Sequence, residues 1–360
     1  MNFGADILKS EEKAILSLRS LYRAWGYEPY KMSKFEEYDL YVKNKSFLVS
    51  DNIITFTDTD GKLMALKPDV TLSIIKNTRD GEERKLYYNE NVYRVSEGSY
   101  SYKEIMQTGL ERIGDIDTYS IAEVLFLASK SLEEISKDFI LDVSHLGLVS
   151  ALIDKIHVSP NSKNALIKCL GEKNAHGIEQ IVREEGIDDE NASRLKRLVS
   201  CYGKPQTVIK ELREFLTEEE FSLIIDEIEK ILSCVACENI RLDFSVIGDV
   251  TYYNGIVFKG FINTLPTPVL SGGQYDALVK RLGKNSKAIG FAVYLDALEN
   301  LSQMKEYDVD TVILYSDKND PAEVFSKVSE YSNGENSTRA VKVLPEKLKY
   351  KNLVDLTKEG

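Results

Sequence analysis

Two polar residues on one predicted strand have a spacing that suits a binding pocket. Gln107 and Glu111 are four residues apart within 103–113, a segment with the composition and alternation of a β-strand. Because side chains alternate between the two faces of a strand, both project from the same face. Their amide and carboxyl groups could hold a polar ligand together, whereas Glu111 considered alone is more simply explained as a surface acid.

A single C-x-x-C pair, Cys234 and Cys237, has a spacing that zinc and redox sites use. A zinc site needs further ligands, and the three histidines, His145, His157 and His176, are dispersed along the chain. We therefore predict no metal and interpret the pair as two buried cysteines at the end of a helix. The sequence also has no dinucleotide-binding fingerprint and no phosphate-binding loop, so we expect no cofactor.

The charge balance excludes one broad class of function. The chain has 360 residues, 43% of them hydrophobic, and its 46 basic and 58 acidic side chains give a formal net charge of -12. A globally basic nucleic-acid binder needs the opposite sign to neutralise phosphates. No disulfide framework, no apolar run of the roughly 20 residues that span a membrane and no signal-peptide pattern can be found. These features predict a cytoplasmic protein without a membrane partner.

The elements that must position the polar residues are mainly antiparallel strands. Strands are predicted at 85–95 and 103–113, and the short Gly-containing link between them indicates an antiparallel hairpin. A turn is predicted at Gly272-Gly273, where two small residues interrupt the pattern. Further strands are predicted at 240–246, 250–261, 269–270 and 288–293.

Regions with different patterns divide the chain. Residues 1–146 and 237–304 carry the strands and form the predicted core, whereas 147–236 is helical throughout and has the character of an insertion. Residues 306–360 have a β-α-β-α pattern and are few for a free-standing domain. The predicted fold class is α+β: an antiparallel β-sheet flanked by helices, with a helical insertion and a small C-terminal α/β segment.

Several segments, in order, resemble the catalytic core of histidyl-tRNA synthetase, a class II aminoacyl-tRNA synthetase. The resemblance extends from residue 4 to residue 292 and implies that the predicted sheet is a class II synthetase-like core. The matching segments are GAD at 4–6, WGYE at 25–28, LKPDVT at 66–71, YR at 93–94, QTGLERIG at 107–114, YYNGIVF at 252–258, SGGQYDAL at 271–278 and AIGFA at 288–292.

Seven residues in these segments align with those that hold the amino acid in the synthetases, so the resemblance implies a histidine-binding site. These residues are Asp69, Thr71, Arg94, Gln107, Glu111, Tyr253 and Tyr275. By the same resemblance, Asp69, Thr71 and Gln107 would take the α-amino group, and Arg94 would meet the carboxylate. An ammonium group suits such an anionic and hydroxyl cage.

The other three residues have an implied role toward the side chain of the ligand. Glu111 and Tyr253 would hydrogen-bond the imidazole, whose two nitrogens need partners at opposite edges. Tyr275 would close the pocket. Histidine recognition therefore resembles that of the synthetases.

Two catalytic positions depart from the synthetase pattern. Gly248 stands where the family's second histidine signature has an arginine, and Ala297 stands where motif 3 has the arginine over ATP. Removing one preorganised contact to developing charge costs about 100- to 1000-fold in rate. Losing both implies that this chain has no useful adenylation activity.

A retained histidine pocket with lost ATP chemistry resembles the regulatory subunits of ATP phosphoribosyltransferase. That family pairs with a short-form catalytic subunit in the first step of histidine biosynthesis, so the resemblance implies a chain that is not itself an enzyme. It further implies histidine as feedback effector, a homodimer within a hetero-octamer, and no tRNA partner. Two alternatives stay open: an active histidyl-tRNA synthetase, and a free-standing histidine sensor for another partner.

Overall fold

The computed structural model of the chain describes residues 8–44, 53–95, 101–247, 252–301, 307–332 and 336–358. The chain divides into two compact units, one of Ala14–Leu298 and one of Met1–Lys13 with Glu299–Gly360. The larger unit contains the main sheet and every residue of the predicted pocket.

The bounds of the described elements are as follows. The helices are α1 (Ser10–Ala24), α2 (Tyr38–Val42), α3 (Thr71–Asn77), α4 (Thr118–Ile135), α5 (Leu146–Asp154), α6 (Pro160–Gly171), α7 (Ala175–Glu185), α8 (Asp189–Ser200), α9 (Pro205–Phe215), α10 (Glu219–Ser233), α11 (Asp276–Arg281) and α12 (Pro321–Tyr331). Short 3-10 helices lie at Leu295–Leu301 and Leu356–Lys358.

The strands are β1 (Glu28–Pro29), β2 (Phe35–Glu37), β3 (Thr55–Thr57), β4 (Leu63–Leu66), β5 (Arg84–Val95), β6 (Tyr102–Gly114), β7 (Phe139–His145), β8 (Tyr202–Gly203), β9 (Ile240–Asp243), β10 (Ile256–Ile262), β11 (Leu270–Gln274), β12 (Lys287–Tyr294), β13 (Val309–Leu314), β14 (Thr338–Val341) and β15 (Tyr350–Asp355). Strands β2, β4 and β3 form a small antiparallel sheet in the larger unit.

Within the described chain, nine strands form the main sheet, in the order β1-β5-β6-β12-β11-β10-β7-β9-β8. From β5 to β7 every neighbouring pair is antiparallel, including the predicted hairpin of β5 and β6. Strand β1 runs parallel to β5, and β7 runs parallel to β9. The α+β class is thus confirmed with a mixed sheet, because the long connection through α5–α10 allows β7 and β9 to run in the same direction.

Gly272 and Gly273 lie inside β11, so the turn predicted for them is wrong. A Cβ atom on Gly272 would lie 2.4 Å from the carbonyl oxygen of Gly290, and one on Gly273 would lie 2.7 Å from that of Ile256. Paired glycines are a common turn signal, but a strand also uses glycine where other groups approach its backbone closely.

Helix α10 packs its apolar face against α4, α5 and α9. Phe221, Ile225 and Ile228 on that face are fully buried, at the three- and four-residue spacing of a helix. The helix ends at Ser233, beyond its buried face, so Cys234 is exposed and the prediction of two buried cysteines is wrong. Among the described residues, no three His, Cys, Asp or Glu side chains come together as metal ligands.

The smaller unit ends differently from its predicted β-α-β-α pattern. Strand β13 lies between β14 and β15 and is parallel to both. The last predicted helix is instead β15 followed by the short 3-10 helix, because pairing with β13 gives backbone hydrogen bonds that local sequence does not reveal. No helix in the described part of the chain is long and apolar enough to cross a membrane.

The loop that leads into α3 is held by a buried ion pair. The Lys67 side chain is 1% exposed and contacts the carboxylate of Glu90 on β5. The Lys67 backbone is also fixed, because its N–H donates to the Lys34 carbonyl at 3.1 Å and its carbonyl accepts from the Tyr93 N–H at 2.9 Å. This anchoring sets the position of the residues that follow Lys67, including those at the start of α3.

We expect Glu90→Gln to destabilise the protein by about 3–5 kcal/mol, because it leaves the buried Lys67 ammonium without its counter-charge. Urea unfolding followed by circular dichroism measures this free energy. Glu37→Gln is the matched control, since Glu37 and Lys62 form an exposed pair at 2.7 Å, with both side chains 54% exposed, and should leave the midpoint nearly unchanged. Equal effects of the two substitutions would contradict the role of burial.

Candidate ligand-binding site

A cavity of about 380 Å³ lies on one face of the main sheet, and all seven residues predicted to bind the ligand line it. They come from the start of α3 and from the segments around β5, β6 and β10–β11. The sheet therefore brings together side chains that are far apart in sequence. The other lining residues are Tyr88, Ile247, Tyr252, Lys259, Ser271, Gly290, Phe291, Ala292 and Tyr294.

The register of the central strands places Gln107 and Glu111 in this cavity. Glu111 on β6 pairs with Gly290 on β12, and Gln107 pairs with Tyr294. The side chains of both β6 residues are buried, with exposures of 3% for Gln107 and 2% for Glu111. The surface-acid explanation of Glu111 therefore does not hold.

The Glu111 carboxyl group is the centre of the hydrogen bonding in the cavity. Thr71 Oγ1 donates to its Oε1 at 2.7 Å, and the Tyr275 hydroxyl donates to its Oε2. Burial raises the pKa of Glu111 from 4.5 to about 8, against the lowering effect of these two donors and with a smaller contribution from the charge of Asp69. This carboxyl group can therefore give or take a proton near neutral pH.

Gly290 leaves the space that the Glu111 carboxyl group occupies. A Cβ atom at position 290 would lie 1.8 Å from Oε2 of Glu111 and 2.5 Å from the Leu110 carbonyl oxygen. No side chain larger than hydrogen fits there without moving the carboxyl group or the strand.

The loop before α3 carries the second acid of the cavity. Asp69 Oδ1 accepts from the Leu72 N–H at 2.8 Å, in the first turn of the helix. Burial raises the pKa of Asp69, whereas the backbone N–H of Leu72 and the nearby Arg94 guanidinium lower it. Arg94 Nε also donates to the Pro68 carbonyl at 3.0 Å, which fixes the guanidinium beside this loop.

Tyrosine rings form a wall of the cavity. The Tyr252 ring lies 4.6 Å from that of Tyr253 and 5.8 Å from that of Tyr275, between ring centroids. Burial raises the pKa of Tyr253, partly offset by a hydrogen bond with Ser271, so this hydroxyl stays neutral. The predicted Tyr253 and Tyr275 thus lie in one aromatic group.

Gln107 has an unused hydrogen-bonding atom in this site. Its Nε2 atom is buried and has no partner among the described residues. An unpaired buried amide donor costs about 1–3 kcal/mol, so a ligand with an acceptor would satisfy it.

Five polar residues of the cavity are absent from the sequence-based set: Tyr88, Tyr252, Lys259, Ser271 and Tyr294. Strand alternation is the signal that could have identified Lys259. Lys259 and Val257 lie on the same face of β10, and Val257 pairs with Gly273 on β11. Of the two lost arginine positions, Gly248 lies outside the described residues. Ala297 is partly buried in the 3-10 helix after β12 and does not line the cavity.

Comparison with known proteins gives the same fold. Residues 5–298 match the family model described as histidyl-tRNA synthetase. The structure titled as an ATP phosphoribosyltransferase regulatory subunit/histidyl-tRNA synthetase from Bacillus halodurans aligns with a TM-score of 0.74 and 24% identity, covering 99% of this chain and 96% of that one. A chain of the ATP phosphoribosyl transferase complex from Thermotoga maritima aligns with a TM-score of 0.63 and 19% identity, covering 79% and 97%. The larger unit is thus a class II synthetase-like core.

A curated relative narrows the assignment from this broad class to one family of proteins. The ATP phosphoribosyltransferase regulatory subunit of Caldanaerobacter subterraneus subsp. tengcongensis is 31% identical over 287 residues, which are 77% of this chain and 75% of the relative. The chain belongs to the family of ATP phosphoribosyltransferase regulatory subunits, within the histidyl-tRNA synthetase-like proteins.

The raised pKa of Glu111 predicts how stability depends on pH. Because the folded-state pKa of about 8 exceeds the unfolded value of 4.5, the folded protein holds this proton more tightly. The resulting stability is complete below about pH 4.5 and is lost as the pH rises to 8. We expect Glu111→Gln to remove this loss, measured as the free energy of unfolding between pH 5 and 8.

Asp142→Asn provides the comparison, because burial and Asp243 raise the pKa of Asp142 only to about 6. That variant should remove the part of the pH dependence between about pH 4 and 6 and keep the part above it. Stability curves of wild type and Glu111→Gln that stay parallel up to pH 8 would contradict the assignment to Glu111.

Proposed function

We propose that this chain is the non-catalytic regulatory subunit of a short-form ATP phosphoribosyltransferase and that it binds free histidine in the cavity. The observation that carries the proposal is the buried Glu111, held by Thr71 and Tyr275 in a cavity that also contains Asp69 and Arg94. Family membership supports the regulatory role. The protein acts in histidine biosynthesis, in the cytoplasm, as a homodimer within a larger hetero-oligomer and without tRNA.

The α-amino and α-carboxyl groups of histidine find complementary partners at the start of α3. Thr71 already donates its hydroxyl proton to Glu111, so its oxygen is left to accept from the ligand ammonium. Asp69 supplies the anion and Gln107 an amide oxygen, and the unpaired Nε2 of Gln107 is left for an acceptor of the ligand. The Arg94 guanidinium supplies a cation for the carboxylate.

The imidazole ring fits the other side of the cavity. Glu111 meets one ring nitrogen and the Tyr253 hydroxyl meets the other. Because the pKa of Glu111 is raised to about 8, its carboxyl group can donate to a bare ring nitrogen or accept from a ring N–H. Either arrangement of the proton gives one hydrogen bond.

Binding of this kind regulates a partner only if it distinguishes two arrangements of the complex. Histidine has to bind the inhibited arrangement more tightly than the active one, and typical couplings of 1–3 kcal/mol correspond to about 5- to 150-fold. The phosphoribosyl chemistry belongs to the catalytic partner. The replacement of two arginines by Gly248 and Ala297 supports the absence of adenylation on this chain.

We expect Glu111→Ala to weaken histidine binding by at least about 1–3 kcal/mol, because it strands the donors of Thr71 and Tyr275 and removes an imidazole partner. Isothermal titration calorimetry measures the affinity. Glu104→Ala is the matched control on the same strand, since Glu104 is exposed and does not line the cavity. Equal affinity of Glu111→Ala and wild type would place the effector site elsewhere, such as at a subunit interface.

Reconstitution tests the regulatory role directly. Mixing the chain with a short-form ATP phosphoribosyltransferase should raise product formation and make it sensitive to histidine. Product formation that is unaffected by the chain would overturn the proposal. Histidine-dependent exchange of pyrophosphate into ATP by the chain alone would instead favour an active synthetase.

A further inference from the structure

The cavity contains a second cation, Lys259, in addition to Arg94. Lys259 lies in the middle of β10, with a half-buried side chain that lines the cavity. Its neighbours across the sheet are Ser271 on β11 and Asp142 on β7. No role for Lys259 follows from the pattern of the synthetases.

The charges around the cavity leave Lys259 uncompensated. Four charged residues line the cavity. Asp69 and Arg94 lie close enough for the guanidinium to lower the pKa of the acid. Burial raises the pKa of Glu111 to about 8. Lys259 forms no ion pair with any described residue. Burial and the charge of Asp243 raise the pKa of its neighbour Asp142, and the charges of Lys173 and Arg241 lower it.

Two hydroxyl-bearing residues, Tyr294 and Ser271, line the cavity together with the two cations. Burial raises the pKa of Tyr294, whereas the Arg94 guanidinium and a hydrogen bond with Ser271 lower it. Tyr294 thus hydrogen-bonds Ser271 and is influenced by the charge of Arg94, and Ser271 is the direct cross-strand neighbour of Lys259. Arg94, Tyr294, Ser271 and Lys259 all line the same cavity.

A partly buried ammonium group is stabilised by an anion, and the ligand has one. Arg94 already donates from Nε to the Pro68 carbonyl, and its charge lowers the pKa of Asp69, so it is only partly available. We infer that the Lys259 ammonium binds the α-carboxylate of the ligand together with Arg94. This inference rests on the proposed function, because it assigns one end of bound histidine.

Ligands with and without a carboxylate separate this role from a structural one. Titration calorimetry would compare histidine with histamine and histidinol, which keep the imidazole and amine but lack the carboxylate. We expect Lys259→Met to lower histidine affinity about 10- to 100-fold, as for loss of a hydrogen bond to a charged group. Affinity for histamine and histidinol should change by less than about threefold, and Lys259→Arg should keep most of the histidine affinity.

Lys137→Met is the matched control, because that lysine is 82% exposed and pairs with Glu133 outside the cavity. Equal losses of affinity for all three ligands, or no loss of affinity for histidine, would overturn the role of Lys259. Neither result would contradict the proposal that the wild type binds histidine. Lys259-dependent binding of adenosine monophosphate with unchanged histidine affinity would also overturn it, in favour of a phosphate ligand. Failure of the wild type to bind histidine would overturn the proposed function itself, and this inference with it.

Discussion

The burial of one carboxyl group, that of Glu111, is the constraint on which the site depends. Its two oxygens accept from Thr71 at the start of α3 and from Tyr275 after β11, and Gly290 on β12 leaves room for it. A buried carboxyl group without these donors would be costly. The loop before α3 and the strands β6, β11 and β12 must therefore keep their relative positions for the cavity to exist.

The ion pair of Lys67 and Glu90 extends this constraint to the neighbouring loop. It connects β5 to the residues just before Asp69, so this acid of the cavity is held by the same sheet that holds Glu111. The charges that line the cavity differ from the charge of the whole chain. The formal net charge of -12 excludes a globally basic nucleic-acid surface, but the cavity itself contains two acids and two cations.

The two neighbouring glycines, Gly272 and Gly273, have a different structural role from the one that the sequence pattern predicts. Gly272 and Gly273 suggested a turn, yet they lie within β11, where neighbouring backbone comes too close for a Cβ atom. Sequence patterns cannot distinguish these two uses, because both depend on the missing side chain. The exposed Cys234 and the strand β15 were also unpredictable, since helix ends and strand partners depend on distant segments.

The sequence by itself determined the order of the motifs, through their resemblance to a known family. It also determined the α+β class, the hairpin of β5 and β6, and the shared face of Gln107 and Glu111, because these follow from local periodicity. All seven predicted ligand residues also line one cavity. Only the tertiary structure decided the burial of Glu111, its pKa of about 8 and the presence of Lys259 in the same cavity. These properties arise from the packing of strands far apart in sequence, and packing sets the desolvation and the neighbours that local patterns do not contain.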